Sequence, residues 1–288
     1  MKQDAAITAT QHAEKVLRDR GITSLPIDPF AIAAAAQITV QAKPDTAPGV
    51  SGLLVRVGSS FGIMYATHIP NEGYQRFSVA HELGHFFLPG HIDAIFSGDA
   101  RIHMSRAGFV SDDQYEKEAD HFAVGLLMPD PMFHNALVRA GDGLAGIEHL
   151  AGLCRTSLTA TAIRYAEKAT IPAAIVVSAG ARIDYCFMST ALKDFPGLQW
   201  LHKGTLLPAT VLTATFNRDP SNIADANREE NTANLQDWFD GDRPVEVREE
   251  VIGLGAYAKT LTVITCDSFA DEVDEEKQME ESWTPRWR

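Results

Sequence analysis

The sequence predicts an α+β protein in three parts followed by an acidic tail. Three observations predict it. Helical periodicity and strand-like runs alternate up to about residue 130, two helices around a tight turn occupy 142–169, and strand-like runs dominate after Ile171. The parts expected are a mixed helix–strand domain at 1–132 and a helix-turn-helix-like segment at 133–170. A mostly β domain at 171–267 and a disordered tail at 268–288 complete the chain.

The elements follow in order. Ala6, Ala9, Ala13, Val16 and Leu17 recur at helical spacing, and Gly21 stops that helix. Asp28-Pro29 pairs an N-cap with a proline in the first turn and starts a short helix from Phe30 to Ala36. A strand is expected around Ile38 to Val40. The runs Gly52–Val57 and Phe61–Ala66, joined by Gly58-Ser59-Ser60, read as a hairpin. A helix then runs from about Gln75 to Phe87 and breaks at Pro89-Gly90. His91 to Val110 reads as an irregular loop, and Asp112 to Leu127 as a helix with acidic residues at its positive end. In the β domain, strands are expected at 175–178, 182–188, 210–216, 245–250 and 256–266. Asn217 to Asn234 is expected to be a long loop.

Composition narrows the function classes. No run reaches the roughly 18 apolar residues of a membrane span, and the N-terminus lacks the features of a secretory signal. The cysteines Cys154, Cys186 and Cys266 are odd in number and widely spaced, so they form no disulfide framework; free buried thiols in a cytoplasmic protein are expected. A net charge of -13 argues against attraction to nucleic acid or anionic membranes. Part of that charge is local, with eight acidic residues against Lys277 between Asp267 and Glu281.

The chemistry concentrates in His81-Glu82-Leu83-Gly84-His85. Histidines at i and i+4 project from one helical face about one turn apart, which suits two adjacent corners of a tetrahedral zinc ion. Glu82 is placed to reach a water on the metal rather than the metal itself, as a general base. A catalytic zinc needs a third protein ligand and one open position. Glu116 is the first choice for that ligand, His91 the second and Glu118 the third. Asp120, one turn after Glu116, can accept the second ring N–H of a ligand histidine.

Phe77-Ser-Val-Ala-His81-Glu82-Leu-Gly-His85, followed by Glu116-x-x-x-Asp120-x-Phe-Ala-x-x-Leu-Leu-Met128-Pro129, resembles the ImmA/IrrE family of metallo-endopeptidases. The upstream hairpin from Ser51-Gly52 to Ile63, leading to Gln75-Arg76-Phe77, is similar too; the resemblance covers roughly residues 25 to 130. It implies a zincin-like N-terminal peptidase domain with one catalytic zinc on His81, His85 and Glu116 and with Glu82 as the base. Some radiation-response members resemble the whole layout, ending in a GAF-like β domain that senses a ligand not identified by any residue here. The partner implied is a protein substrate, a helix-turn-helix transcriptional repressor whose cleavage induces a stress or mobile-element response.

In zincin-like folds a sheet edge beside the active helix binds substrate as an added strand. Phe61, Ile63 and Tyr65 mark the candidate edge strand. Tyr115, His103 and His121 are the candidates for stabilising the oxyanion. The 142–169 segment has helix-turn-helix spacing, but Arg155, Arg164 and Lys168 stand against Glu148 and Glu167, too thin a basic stripe for direct DNA binding. The alternative to the enzyme is a non-catalytic sensor or regulatory binding module whose zinc site is vestigial or structural.

Overall fold

A computed structural model describes residues 2–44, 49–97, 101–105 and 113–266, with the side chains of residues 2–4 outside that set. The acidic tail at 268–288 therefore lies outside the described residues. Contacts divide the chain into two compact units, one of residues 1–139 and 149–158 and one of residues 140–148 and 159–288. Among the described residues, no helix is long and apolar enough to cross a membrane.

The first unit joins helices to a four-stranded mixed sheet. Helix α1 (Lys2–Asp19) buries Ala9, Ala13, Val16 and Leu17, the stripe its periodicity predicts. Helix α2 (Pro29–Ala35) starts at Asp28, whose Oδ1 accepts the Phe30 amide at 2.9 Å. The strands are β1 (Thr39–Lys43), β2 (Gly52–Val57) and β3 (Ser60–Ala66), with helix α3 (Glu72–Phe87) following. Next come α4 (His91–Ile95), β4 (Ile102–Ser105), α5 (Gln114–Leu127) and α6 (Asp130–Ala140). Helices α7 (Gly143–Cys154) and α8 (Leu158–Lys168), which the division assigns partly to the second unit, flank a turn at Arg155, whose φ is 54°.

Sheet order is β1-β3-β2-β4, with β1 parallel to β3 and the other pairs antiparallel. This corrects the substrate-edge expectation for Phe61, Ile63 and Tyr65. Strand β3 is hydrogen-bonded on both sides, so its backbone has no free edge. Its side chains serve the core: Ile63 is fully buried, Phe61 packs edge-on against Phe86, and Tyr65 packs against Phe30. The loop expected at 91–110 is corrected as well, because it contains α4 and β4, and β4 is an edge strand.

Helix packing sets the site's dimensions. A Cβ on Gly84 would lie 3.0 Å from the Ala119 Cα, so glycine lets α3 and α5 approach backbone to backbone. On the other side of α5, a Cβ on Gly125 would lie 2.9 Å from the Thr10 Cα of α1.

The second unit carries an antiparallel sheet in the order β6-β5-β9-β8-β7. Its strands are β5 (Ala173–Ala179), β6 (Arg182–Met188), β7 (Arg228–Asn234), β8 (Glu246–Gly253) and β9 (Thr260–Thr265), with short helices α9 (Thr190–Lys193), α10 (Leu212–Phe216), α11 (Pro220–Ala224) and α12 (Leu235–Phe239). Two expectations fail here. The strand expected at 210–216 is α10, because the buried Glu249 carboxylate accepts the Leu212 and Thr213 amides and holds the chain in a helical start. The loop expected at 217–234 contains α11, capped by Asp219, and the polar strand β7.

Candidate metal centre

Asn71 caps α3 by accepting the Tyr74 amide at 2.9 Å, which fixes the rotation of the helix that follows. Val79, Ala80 and Leu83 are fully buried, and so are His81, Glu82 and His85. The two histidines turn their Nε2 atoms toward each other at 3.1 Å. From α5, Glu116 brings Oε1 within 3.2 Å of His85 Nε2 and Oε2 within 3.5 Å of His81 Nε2. Asp113 sets this approach by capping α5, accepting the amides of Tyr115 and Glu116. Ligand atoms of His81, His85 and Glu116 thus lie within 4.8 Å of one another.

The neighbours of this trio are well defined. Asp120 Oδ1 lies 2.8 Å from His81 Nδ1, the ring nitrogen facing away from the trio. His103, on β4, places Nε2 2.9 Å from Glu116 Oε1 and its ring 4.6 Å from that of His85. Tyr115 packs its ring edge-on against His91, 5.0 Å between centroids, and His121 is half-buried next to Asp120. Of the three oxyanion candidates, only His103 is brought against the Glu116 carboxylate by a described contact.

The second-choice ligand, His91, does not join the trio. Gly90, with φ at 80°, turns the chain after α3 so that His91 opens α4 behind His85. His91 Nδ1 lies 3.1 Å from His85 Nδ1, and His91 Nε2 lies 3.1 Å from Glu118 Oε2. Glu118 therefore meets His91 and not the metal position. His91 and Glu118, ranked behind Glu116 as third ligands in the sequence, both stand outside the trio.

Electrostatics follow from this crowding. Burial works against charge on His81, yet the carboxylates of Asp120 and Glu116 outweigh it and raise the imidazole to about 10. Burial dominates at His85, which falls to about 3, and it also lowers His91. Glu116 is opposed by burial as well, but hydrogen bonds from His103, His81 and His85 hold it far below the usual carboxylate range. Burial pushes Glu82 up to about 7, against the pull of His81.

The donor set fits a divalent metal such as zinc: two imidazole nitrogens and one carboxylate, matching zinc's preference for nitrogen and oxygen ligands. A second observation agrees. Both carboxylate oxygens of Glu82 are buried with no hydrogen bond of ordinary geometry, and the nearby Ser105 hydroxyl only partly offsets the burial of the carboxyl. Such groups cost about 1–3 kcal/mol each unless something polar meets them, which is a feature of sites built to take a ligand.

Comparison with known proteins agrees with this geometry. Residues 33–164 match the IrrE N-terminal-like domain, Peptidase_M78. No curated protein matches the sequence. Among solved structures, a Mycobacterium tuberculosis transcriptional regulator has a similar fold, with a TM-score of 0.56 at 14% identity over 93% of this chain and 78% of that one. With His81, His85 and Glu116 gathered inside the matched segment, the chain carries a Peptidase_M78 domain, the IrrE N-terminal-like family, across residues 33–164.

Proposed function

We propose that the chain is a zinc-dependent endopeptidase that cleaves another cytoplasmic protein. The observation that carries this reading is the convergence of His81, His85 and Glu116 beside the fully buried Glu82 carboxylate. Bound zinc would supply Lewis-acid polarisation of a scissile carbonyl and a water acidic enough to react at neutral pH. Glu82 takes up the proton released by the attacking water and returns it to the leaving amine. Burial holds its carboxyl at about 7, close to the pH at which it must do both. His103 is assigned the oxyanion-stabilising role, since it stands on β4 against Glu116.

Strand β4 supplies the route for substrate. It pairs only with β2 among the described strands, and Ile102 and Met104 are exposed, so a substrate peptide can pair along its free edge. The family suggests a helix-turn-helix repressor as the protein cut, and the regulator-like fold neighbour favours a role in gene control. The C-terminal sheet is then the sensor, in the manner of a GAF domain. Direct DNA binding is disfavoured because Arg164 is buried and paired with Glu167, while Arg155 pairs with Glu72. The test is co-incubation with repressors encoded beside its gene, comparing wild type with Glu82→Gln, with and without chelator. Zinc-dependent fragments from the wild type alone support the reading, and equal cleavage by Glu82→Gln defeats it.

One observation favours a second reading, a regulatory module with a structural zinc. His103 stands close enough to Glu116 to become a fourth ligand and close the site. His103→Ala separates the two: a structural site loses its zinc, whereas a catalytic site keeps the metal and loses turnover.

A further inference from the structure

The contacts behind His85 form a chain in which each proton position forces the next. His85 offers its Nε2 lone pair to a metal only if its proton sits on Nδ1. That Nδ1–H points at His91 Nδ1, 3.1 Å away, which must then be bare to accept it. The His91 proton is consequently on Nε2, where Glu118 Oε2 accepts it at 3.1 Å. Gln114 donates to the other Glu118 oxygen at 2.6 Å and holds the carboxylate in place. Reversing any one tautomer leaves two protons or two lone pairs facing each other in a buried space, since His85 and His91 are both fully buried.

We propose that His91 and Glu118 are positioning residues that fix the tautomer and ring plane of His85, a proposal that rests on the metal-binding reading above and deepens it. The two ligand histidines are thus served differently. His81 meets a carboxylate directly, at Asp120. His85 meets one through an intervening imidazole. The helix explains why α5 can do both, because Glu116 and Glu118 differ by about 200° around its axis. Glu116 reaches the front of His85 from one side of α5, and Glu118 reaches its back through a residue that Gly90 has turned into place. Partners of this kind orient a metal-binding imidazole and raise its basicity.

The experiment measures zinc affinity of the full chain by competition with a chromogenic chelator. It compares wild type, His85→Ala, His91→Leu, His91→Asn, Glu118→Ala and the His91→Asn/Glu118→Ala double variant. Asparagine places its side-chain oxygen near the position of imidazole Nδ1 and can accept the same bond. His91→Leu is expected to weaken zinc binding about 10- to 100-fold, and His91→Asn to recover most of that loss. Glu118→Ala should weaken binding in the wild-type background and have no effect beside His91→Asn, because its influence passes through the His91 tautomer. Melting of the metal-free forms checks folding, and if His91→Leu does not fold, the Asn and Ala pair carries the test. Equal effects of Glu118→Ala in both backgrounds, or wild-type affinity in a folded His91→Leu, overturn the chain while leaving the metal site standing. If wild type binds no more zinc than His85→Ala, the metal reading and the proposal fall together.

Discussion

Gly52 lies so close to the Glu82 carboxylate that any side chain at position 52 must push it aside: an added Cβ would lie 2.4 Å from the Glu82 Oε1. Gly52 opens β2, the strand next to β4, so the floor beneath the Glu82 carboxylate is the sheet itself. Gly52→Ala is expected to displace the Glu82 carboxylate and lower kcat/KM by about 100-fold while zinc binding persists, since misplacement by about 1 Å suffices for such a loss. Steady-state kinetics beside zinc content checks this, and unchanged turnover would remove Gly52 from the account.

Asp120→Asn keeps an oxygen that can accept the His81 Nδ1–H but removes its charge, whereas Asp120→Ala removes the acceptor. Zinc affinity should fall only a few-fold in the first and about 10- to 100-fold in the second. Chelator competition reads both, and equal losses would mean that charge alone, not orientation, matters at this position.

Zinc uptake should release protons. In the metal-free protein His81 keeps its proton up to about pH 10, and a metal can bind only the deprotonated ring. The sign follows: raising pH removes the competing proton, so apparent affinity climbs by up to about tenfold per pH unit until that value is reached. Calorimetric titrations at one pH in buffers of different ionisation enthalpy should report about one proton released per zinc. A buffer-independent heat and a flat pH profile would contradict this.

Gly84→Ala pits two effects against each other. Alanine favours the helix by about 1 kcal/mol, but its Cβ would press on the Ala119 backbone at 3.0 and 3.2 Å. Overpacking of that kind costs about 1–3 kcal/mol, and main chain cannot swing aside as a side chain does. Net destabilisation of about 1 kcal/mol is expected, together with weaker zinc binding as α3 moves away from Glu116. A urea midpoint equal to wild type would show that the helices can separate freely.

Much of the first unit was legible because its signals are local. Asp28-Pro29, the Gly58-Ser59-Ser60 turn and the i,i+4 histidines each act within a few residues, and the structure has α2, the hairpin and α3 where they point. What was not legible depends on distant partners. Helix α10 owes its start to Glu249, more than thirty residues away, so its β-branched composition misled. Strand β7, Arg-Glu-Glu-Asn-Thr-Ala-Asn, is a mostly exposed edge with no apolar alternation to read. Strand β4 is four residues long, and only its pairing with β2 shows that it is an edge while β3 is interior. At the site, spacing predicted which histidines share a face. It could not show that His91 lies behind His85, because that depends on the positive φ of Gly90.

Metal analysis of the purified chain together with X-ray absorption at the zinc edge tests the central claim most directly. The account predicts one zinc per chain, held by two imidazole nitrogens and a carboxylate oxygen at about 2.0–2.2 Å, and lost in His85→Ala or Glu116→Ala. Zinc that survives both substitutions, or a sulfur ligand at about 2.3 Å, would contradict it.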